Sequence, residues 1–447
     1  MTDIRQGLDA APMGAFRWAA IGVCMLLNMI DGFDVLVMAF TASAVSAEWT
    51  LTGSQLGVLL SAGLFGMAAG SLFVAPWADK VGRRPVTLGC LLLSGTTMVL
   101  AAGARTYVEL AAMRALTGIG IGGILACSNV IASEYASARW RSLAVSLQST
   151  GYALGATLGG MIAVWLLSAH GWRSVFLFGG IATLAAIPAV LWRLPESLDF
   201  LLTRQPARAL DRINALARRS RLPAIAALPP LRPQAGTHAG VRTLLTPRLQ
   251  RPTLLVWLSF FLVLFGFHFV MNWTPKLLVS AGMTQQQGVS SGVLLSVGGI
   301  VGTVVLGALS ARFAVHRVLA VFMIVTAGLL SIFVMQAADA AMAFMIAFSI
   351  GIFLNACVAG LYVIAPLVYD TSVRATGVGW GIGIGRIGSI MSPLVAGVLI
   401  DKGLQPAQLY VGFGMAFVLA AVVVLLHRIR SPRETLPQAA DAATANH

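Results

Sequence analysis

Long apolar runs alternate with short polar breaks along almost the whole chain. Most meet or exceed the ~20 residues an α-helix needs to cross the hydrocarbon of a bilayer. They fall at 18–42, 53–77, 85–103, 108–133, 142–169 and 174–192, then at 252–281, 288–310, 317–336, 341–368, 374–400 and 405–428. The pattern predicts an all-α membrane protein of twelve transmembrane helices in two six-helix halves. Five segments follow: an N-terminus (1–17), a first half (18–192), a linker (193–251), a second half (252–428) and a tail (429–447). The linker is rich in Arg and contains Leu228-Pro229-Pro230-Leu231-Arg232-Pro233. Its stretch from Ala207 to Arg219 is amphipathic, so surface helices joined by flexible chain are expected. The run from Trp18 to Phe40 is too long for a signal-peptide core and has no clear cleavage site, so it is expected to remain.

Composition agrees with a lipid environment. The chain is 58% hydrophobic and 10% charged, with mean hydropathy +0.85, whereas a soluble domain carries about 25% charged residues. A net charge of +14 raises the question of nucleic acid, but the placement of the charges answers it. Arg114 and Arg386 lie inside apolar runs, and Arg105, Arg173, Lys276 and Lys402 in one set of alternate loops. All other Lys and Arg lie in the N-terminus, the remaining loops and the tail. That bias puts both termini in the cytoplasm and leaves nucleic acid aside.

Cys24, Cys90, Cys127 and Cys357 lie in apolar runs without CxxC or metal-ligand spacing, and read as small core residues. The Gly-rich stretches Gly118–Gly123 and Gly377–Gly388 follow no strand. They suit close helix approach, not dinucleotide binding. No G-x-S-x-G, H-E-x-x-H or P-loop appears. Neither an enzyme nor an ATP-driven pump is expected, and no metal or other cofactor; an ion gradient remains as the energy source.

Two acids lie deep in the first run. Asp31 and Asp34, at i and i+3, share a helical face with Asn28 one turn earlier. At 1.5 Å per residue, Asp31 lies roughly 20 Å from Trp18, near mid-membrane. Burial and a neighbouring carboxylate both favour the protonated form of an acid, which fits the pair for binding and releasing a proton; a helix-packing pair neutralised by a nearby cation is the plainer alternative. Arg386, midway along the eleventh run between Gly385 and Gly388, offers a planar fork matched to a carboxylate. It suits an anionic substrate, or a standing salt bridge to Asp31 or Asp34. The two roles are compatible if the anion displaces the aspartate.

Further motifs carry a family resemblance. Asp79-Lys80-Val81-Gly82-Arg83-Arg84-Pro85, Arg114-Ala115-Leu116-Thr117-Gly118, Gly151-Tyr152-Ala153-Leu154-Gly155-Ala156 and Pro195-Glu196-Ser197 together resemble the major facilitator superfamily, over essentially the whole chain. Asp31-Gly32-Phe33-Asp34, Asn129 to Tyr135, Asn272 to Leu278 and Gly377 to Gly388 narrow the resemblance to the aromatic acid:proton symporter family. It implies proton-coupled import of benzoate-type acids across a bacterial inner membrane, with the substrate held between two rocking halves. A monomer is expected. The resemblance gives Arg114 a role in proton coupling or its charge network. It makes Asp79, Arg83 and Arg84, with Glu134 and Arg141, a cytoplasmic charge latch, although basic flanking sequence alone also reads this way. The corresponding turn, Ala311 to Arg317, has Ala311 where relatives tend to have an acid, so a second latch is in doubt.

For a substrate ring, Phe261, Phe265, His268 and Asn272 recur along one face of the seventh run, followed by Trp273. The aromatic faces can stack on a benzoate, and His268 or Asn272 can bond a ring hydroxyl; the same stripe also suits plain packing. Asn129, Gln148, Tyr152, Asn355 and Tyr362 are further membrane polar groups, for the cavity or for interhelical bonds. A carrier of another organic anion or of a sugar, or a membrane sensor that does not transport, are the other readings.

Overall fold

The computed structural model describes residues 4–220, 222–228, 241–333, 339–370 and 373–427. Twelve helices among them are long and apolar enough to span a membrane. The first six are α1 (Ala15–Trp49), α2 (Gly53–Val81), α3 (Arg83–Ala101), α4 (Tyr107–Tyr135), α5 (Arg141–His170) and α6 (Trp172–Arg193). The second six are α7 (Gln250–Ser280), α8 (Gln285–Ser310), α9 (Val315–Phe333), α10 (Ala340–Val368), α11 (Arg374–Asp401) and α12 (Pro406–Leu425). Each matches an apolar run to within a few residues except α1, which extends seven residues past the run at its far end. Its 35 residues make a rod of roughly 50 Å, longer than the hydrocarbon is thick.

Between the halves, the helices Leu198–Arg204 and Ala209–Arg219 pack their apolar sides on the N-terminal helix Ile4–Ala10, through Leu8, Phe200, Leu201, Ile213 and Ala217. Arg17, fully buried, ties this layer down by donating to the carbonyls of Tyr135 (2.7 Å), Leu8 (2.9 Å) and Ala11 (3.1 Å). The Pro-rich piece from Pro229 to Pro233 and the tail lie outside the described residues.

Glycines set the helix pairing, and the pairing repeats. Gly70 of α2 lies against the Ile119 carbonyl of α4, as Gly302 of α8 lies against that of Ile352 in α10. Gly155 of α5 lies against the Met29 carbonyl of α1, as Gly388 of α11 lies against that of Phe261 in α7. Without side chains at these points, backbones touch directly. Aligned on those contacts, Asp34 falls at the position of Gly266, Arg114 at Ala347 and Arg386 at Ala153. The halves share a scaffold but not their charges: the acids belong to one and the anion-matched guanidinium to the other.

The basic loops lie at one face of the bundle, here the basic face. The halves meet toward the far face. There Ser61 donates to the Ile390 carbonyl (2.8 Å), Gly57 lies against the Pro393 carbonyl, and Phe40 of α1 packs on Gly292 of α8. Asp401, at the end of α11, accepts from the first amides of α2, Gly53 N (2.6 Å) and Ser54 N (2.8 Å), and from the Ser54 hydroxyl.

Candidate functional site

Asp34 and Arg114 form a closed unit inside the first half. Arg114 donates from Nη1 to Asp34 Oδ1 at 2.7 Å and from Nη2 to the Asp34 carbonyl at 2.8 Å, and both side chains are 3% exposed. Gly63 of α2 leaves the room for this: a Cβ there would stand 2.9 Å from Arg114 Nη2. Asp34 is therefore neutralised by Arg114 and not by Arg386. The standing bridge from Arg386 to Asp34 that the sequence allowed is not formed.

Asp31, one turn away, is in a different condition. It is 3% exposed and its Oδ1 is buried without a hydrogen-bond partner. The charges acting on it are Asp34 and Arg386, and Tyr152 of α5 feels its field. Arg386 makes no hydrogen bond or ion pair among the described residues. Its helix is drawn onto α7 by Gly385 and Gly388, which meet Leu264, Phe260 and the Phe261 carbonyl. That approach brings Arg386 within the electrostatic reach of His268 on α7 and Tyr362 on α10. A buried carboxylate oxygen of one half without a hydrogen-bond partner thus lies within electrostatic reach of a guanidinium of the other half that forms no ion pair among the described residues.

The ring candidates divide. His268 Nδ1 lies 3.0 Å from the Leu264 carbonyl. A carbonyl only accepts, so Nδ1 carries a proton and Nε2 is left free. Phe261, Phe265, Phe413 and Phe269 form a stacked column with successive centroids 5.9, 4.9 and 3.9 Å apart. Tyr362, 45% exposed, packs edge-on to Phe260. Asn272 is buried and spends its amide on the His268 carbonyl (2.8 Å), and Trp273 is buried in the core; both are enclosed in this arrangement.

Among the remaining polar candidates, Asn129 is exposed. Gln148 is fully buried and donates to Ser128 (3.3 Å). Asn28 donates to the Cys24 carbonyl at 3.4 Å, and Asn355 to that of Gly351 at 3.2 Å. These bonds are helix-internal or between neighbours.

At the basic face, Arg83 bridges Asp79 (3.1 Å) and Glu134 (3.2 Å), and Glu134 also accepts from the Ser197 hydroxyl and Leu198 N, both at 2.9 Å. Sequence reasoning quoted Glu196 only as part of a motif, and the fold gives it a job. Its Oε1 accepts from Arg83 N (2.7 Å), Arg84 N (3.1 Å) and Ser197 N (2.9 Å), capping the start of α3. Arg84 donates to the Leu191 carbonyl. Arg141 joins a different set: it pairs with Asp9 and donates to the Ser133 carbonyl (3.2 Å). In the corresponding turn of the second half neither Arg312 nor Arg317 forms an ion pair among the described residues.

Comparison with known proteins agrees with this architecture. The Major Facilitator Superfamily model matches residues 23–381. The gallate transporter of Pseudomonas putida is 34% identical over 97% of this chain and 98% of its own. The 4-hydroxybenzoate transporter PcaK of Acinetobacter baylyi is 32% identical over 89% of each chain. Among solved structures, the D-xylose–proton symporter superposes with TM-score 0.70 at 18% identity, over 92% of this chain and 98% of that one. A bacterial Spinster homologue in an inward-facing, occupied conformation gives TM-score 0.72 at 16%, over 94% and 100%. Twelve spans, a charged centre at the junction of two like halves and this kinship make the chain a multi-pass membrane transporter, and it belongs to the major facilitator superfamily, within its aromatic acid:proton symporter family.

Proposed function

We propose that the protein imports a small aromatic carboxylate together with a proton across the bacterial inner membrane, by alternating access. The observation that carries this reading is Asp31, with a buried carboxylate oxygen that has no hydrogen-bond partner, within electrostatic reach of an Arg386 that forms no ion pair among the described residues. A carboxylate substrate neutralises Arg386, and a proton neutralises Asp31. With both bound, the centre closes without a bare charge in low dielectric; with only one, it does not. Asp34 and Arg114 form the second element of the coupling network, already neutral as a pair. The phenylalanine column and Tyr362 offer aromatic surface beside Arg386 for the ring. The aromatic acids named for the relatives support that substrate class.

The basic face is the cytoplasmic one, with both termini on that side, so the arrangement described above is open inward. The contacts of Arg83 with Asp79 and Glu134 are made in this arrangement, so the inner latch exchanges these partners when the inner side closes. The proton gradient supplies the energy without a cofactor, and one chain suffices. Uptake by proteoliposomes under an imposed pH jump tests the proposal over benzoate, hydroxybenzoates, gentisate, phenylpropionates and aliphatic acids. Accumulation indifferent to the gradient eliminates symport, and selective uptake of non-aromatic acids eliminates the substrate class.

A further inference from the structure

We infer that α2 is the mechanical link between the outer gate and the Asp34–Arg114 pair, with Gly63 as the positioning residue for Arg114. The inference rests on the alternating-access reading above, but its central test needs no substrate.

One helix makes both connections within ten residues. At its outer end α2 is held by the opposite half: the Asp401 carboxylate accepts from Gly53 N, Ser54 N and the Ser54 hydroxyl, and Ser61 donates to Ile390. A carboxylate on the first amides of a helix satisfies donors that have no partner within the helix and complements its dipole. Two residues past Ser61, Gly63 makes the space that Arg114 occupies. From there inward α2 and α4 interlock backbone to backbone: Gly118 lies on the Gly63 carbonyl, Gly66 on that of Ala115, Gly70 on that of Ile119 and Gly122 on that of Met67. The two helices therefore move as one piece.

Asp34 belongs to another piece. Its helix α1 interlocks with α5, where Gly32 meets the Tyr152 carbonyl, Gly151 that of Met25 and Gly155 that of Met29. The seam between these two pieces is pinned toward the basic face, by Arg17 donating to the Tyr135 carbonyl and Gln148 donating to Ser128. Toward the outer face the seam is bridged by Arg114 donating to Asp34. A displacement of α2 when Asp401 lets go is resisted at the pinned end and falls on that bridge. Opening the outer gate thereby loosens Arg114 from Asp34, and breaking the pair favours opening.

Spin labels at the exposed Thr50 and Lys402, in the full chain reconstituted in lipid, report the outer-gate distance. Asp401→Asn and Asp34→Asn are each expected to raise the long-distance population. The double variant is expected to depart from the product of the single effects by about threefold or more, as for sites that share one structural element. Gly63→Ala is expected to raise the same population and to lower gradient-driven accumulation about tenfold, with substrate counterflow within about twofold. Independent effects of Asp401→Asn and Asp34→Asn overturn the linkage even if Gly63→Ala fails to fold. A folded Gly63→Ala protein with a wild-type gate overturns the role of Gly63. A gate cycle that behaves as expected in a protein that takes up no aromatic acid refutes the substrate reading alone.

Discussion

A single guanidinium, that of Arg114, takes both the carboxylate and the main-chain carbonyl of Asp34, at 2.7 and 2.8 Å. The side-chain bond depends on the charge of Asp34 and the main-chain bond does not. Loss of that charge loosens Arg114 without releasing it, a graded response suited to a carrier that resets each cycle.

The pair makes an unequal prediction for stability. Arg114→Ala strands a buried carboxylate, and such a loss costs about 3–5 kcal/mol. Asp34→Asn keeps an oxygen for Arg114 and is expected to cost less. Thermal unfolding in detergent is expected to rank Arg114→Ala well below Asp34→Asn, with Asp34→Asn/Arg114→Ala recovering part of the loss. If the double variant melts at the sum of the two losses, the pair is not a unit.

Arg386 makes a prediction for transport. Arg386→Ala is expected to abolish uptake. Arg386→Lys is expected not to restore it, because an ammonium lacks the planar fork that grips a carboxylate. Wild-type uptake by the Lys variant would count against two-pronged recognition.

Glu196 makes a prediction for the inner face. Glu196→Ala leaves the amides of Arg83, Arg84 and Ser197 without their acceptor and is expected to cost about 1–2 kcal/mol. Glu196→Gln keeps an acceptor oxygen and is expected to cost a fraction of that. Gly82→Ala is expected to be as damaging as Glu196→Ala, since Gly82 sits at φ +113° and a Cβ there would stand 2.7 Å from Glu196 Oε2. Melting curves of the three variants check the order.

His427, just past α12, makes a prediction for pH. It is buried with Nε2 3.4 Å from the Ser259 hydroxyl, and burial, helped by the nearby charge of His316, pushes it down to about 4 from an ordinary 6.5. Between those values the unfolded chain binds a proton that the folded one refuses, so stability falls as pH drops from about 6.5 toward 4 and is unaffected above. His427→Gln is expected to flatten that part of the melting profile, and an unchanged slope removes His427 as its source.

Much of this protein is legible along the chain. Apolar length gives twelve spans, and the spacing of Asp31 and Asp34 puts two acids on one face of α1. Arg386 stands out because a charge amid apolar sequence is costly. Partnerships are not legible in that way. The named candidate for a salt bridge to Asp34 was Arg386, and helix packing selected Arg114 instead, since Gly63 clears its path. Arg141 lies close in sequence to Glu134, yet its guanidinium turns to Asp9 of the N-terminal helix. Glu196 stood only as one member of a motif after α6 until the fold carried it to the start of α3.

By itself, the sequence determined that the chain must live in lipid and which charges that environment penalises, because hydropathy and charge act residue by residue and need no neighbour. Only the tertiary structure decided which carboxylate is satisfied and which is left open, and that the gate end of α2 and the Arg114 site share one helix. Those outcomes depend on backbones meeting at glycines far apart along the chain, a relation that no local pattern carries.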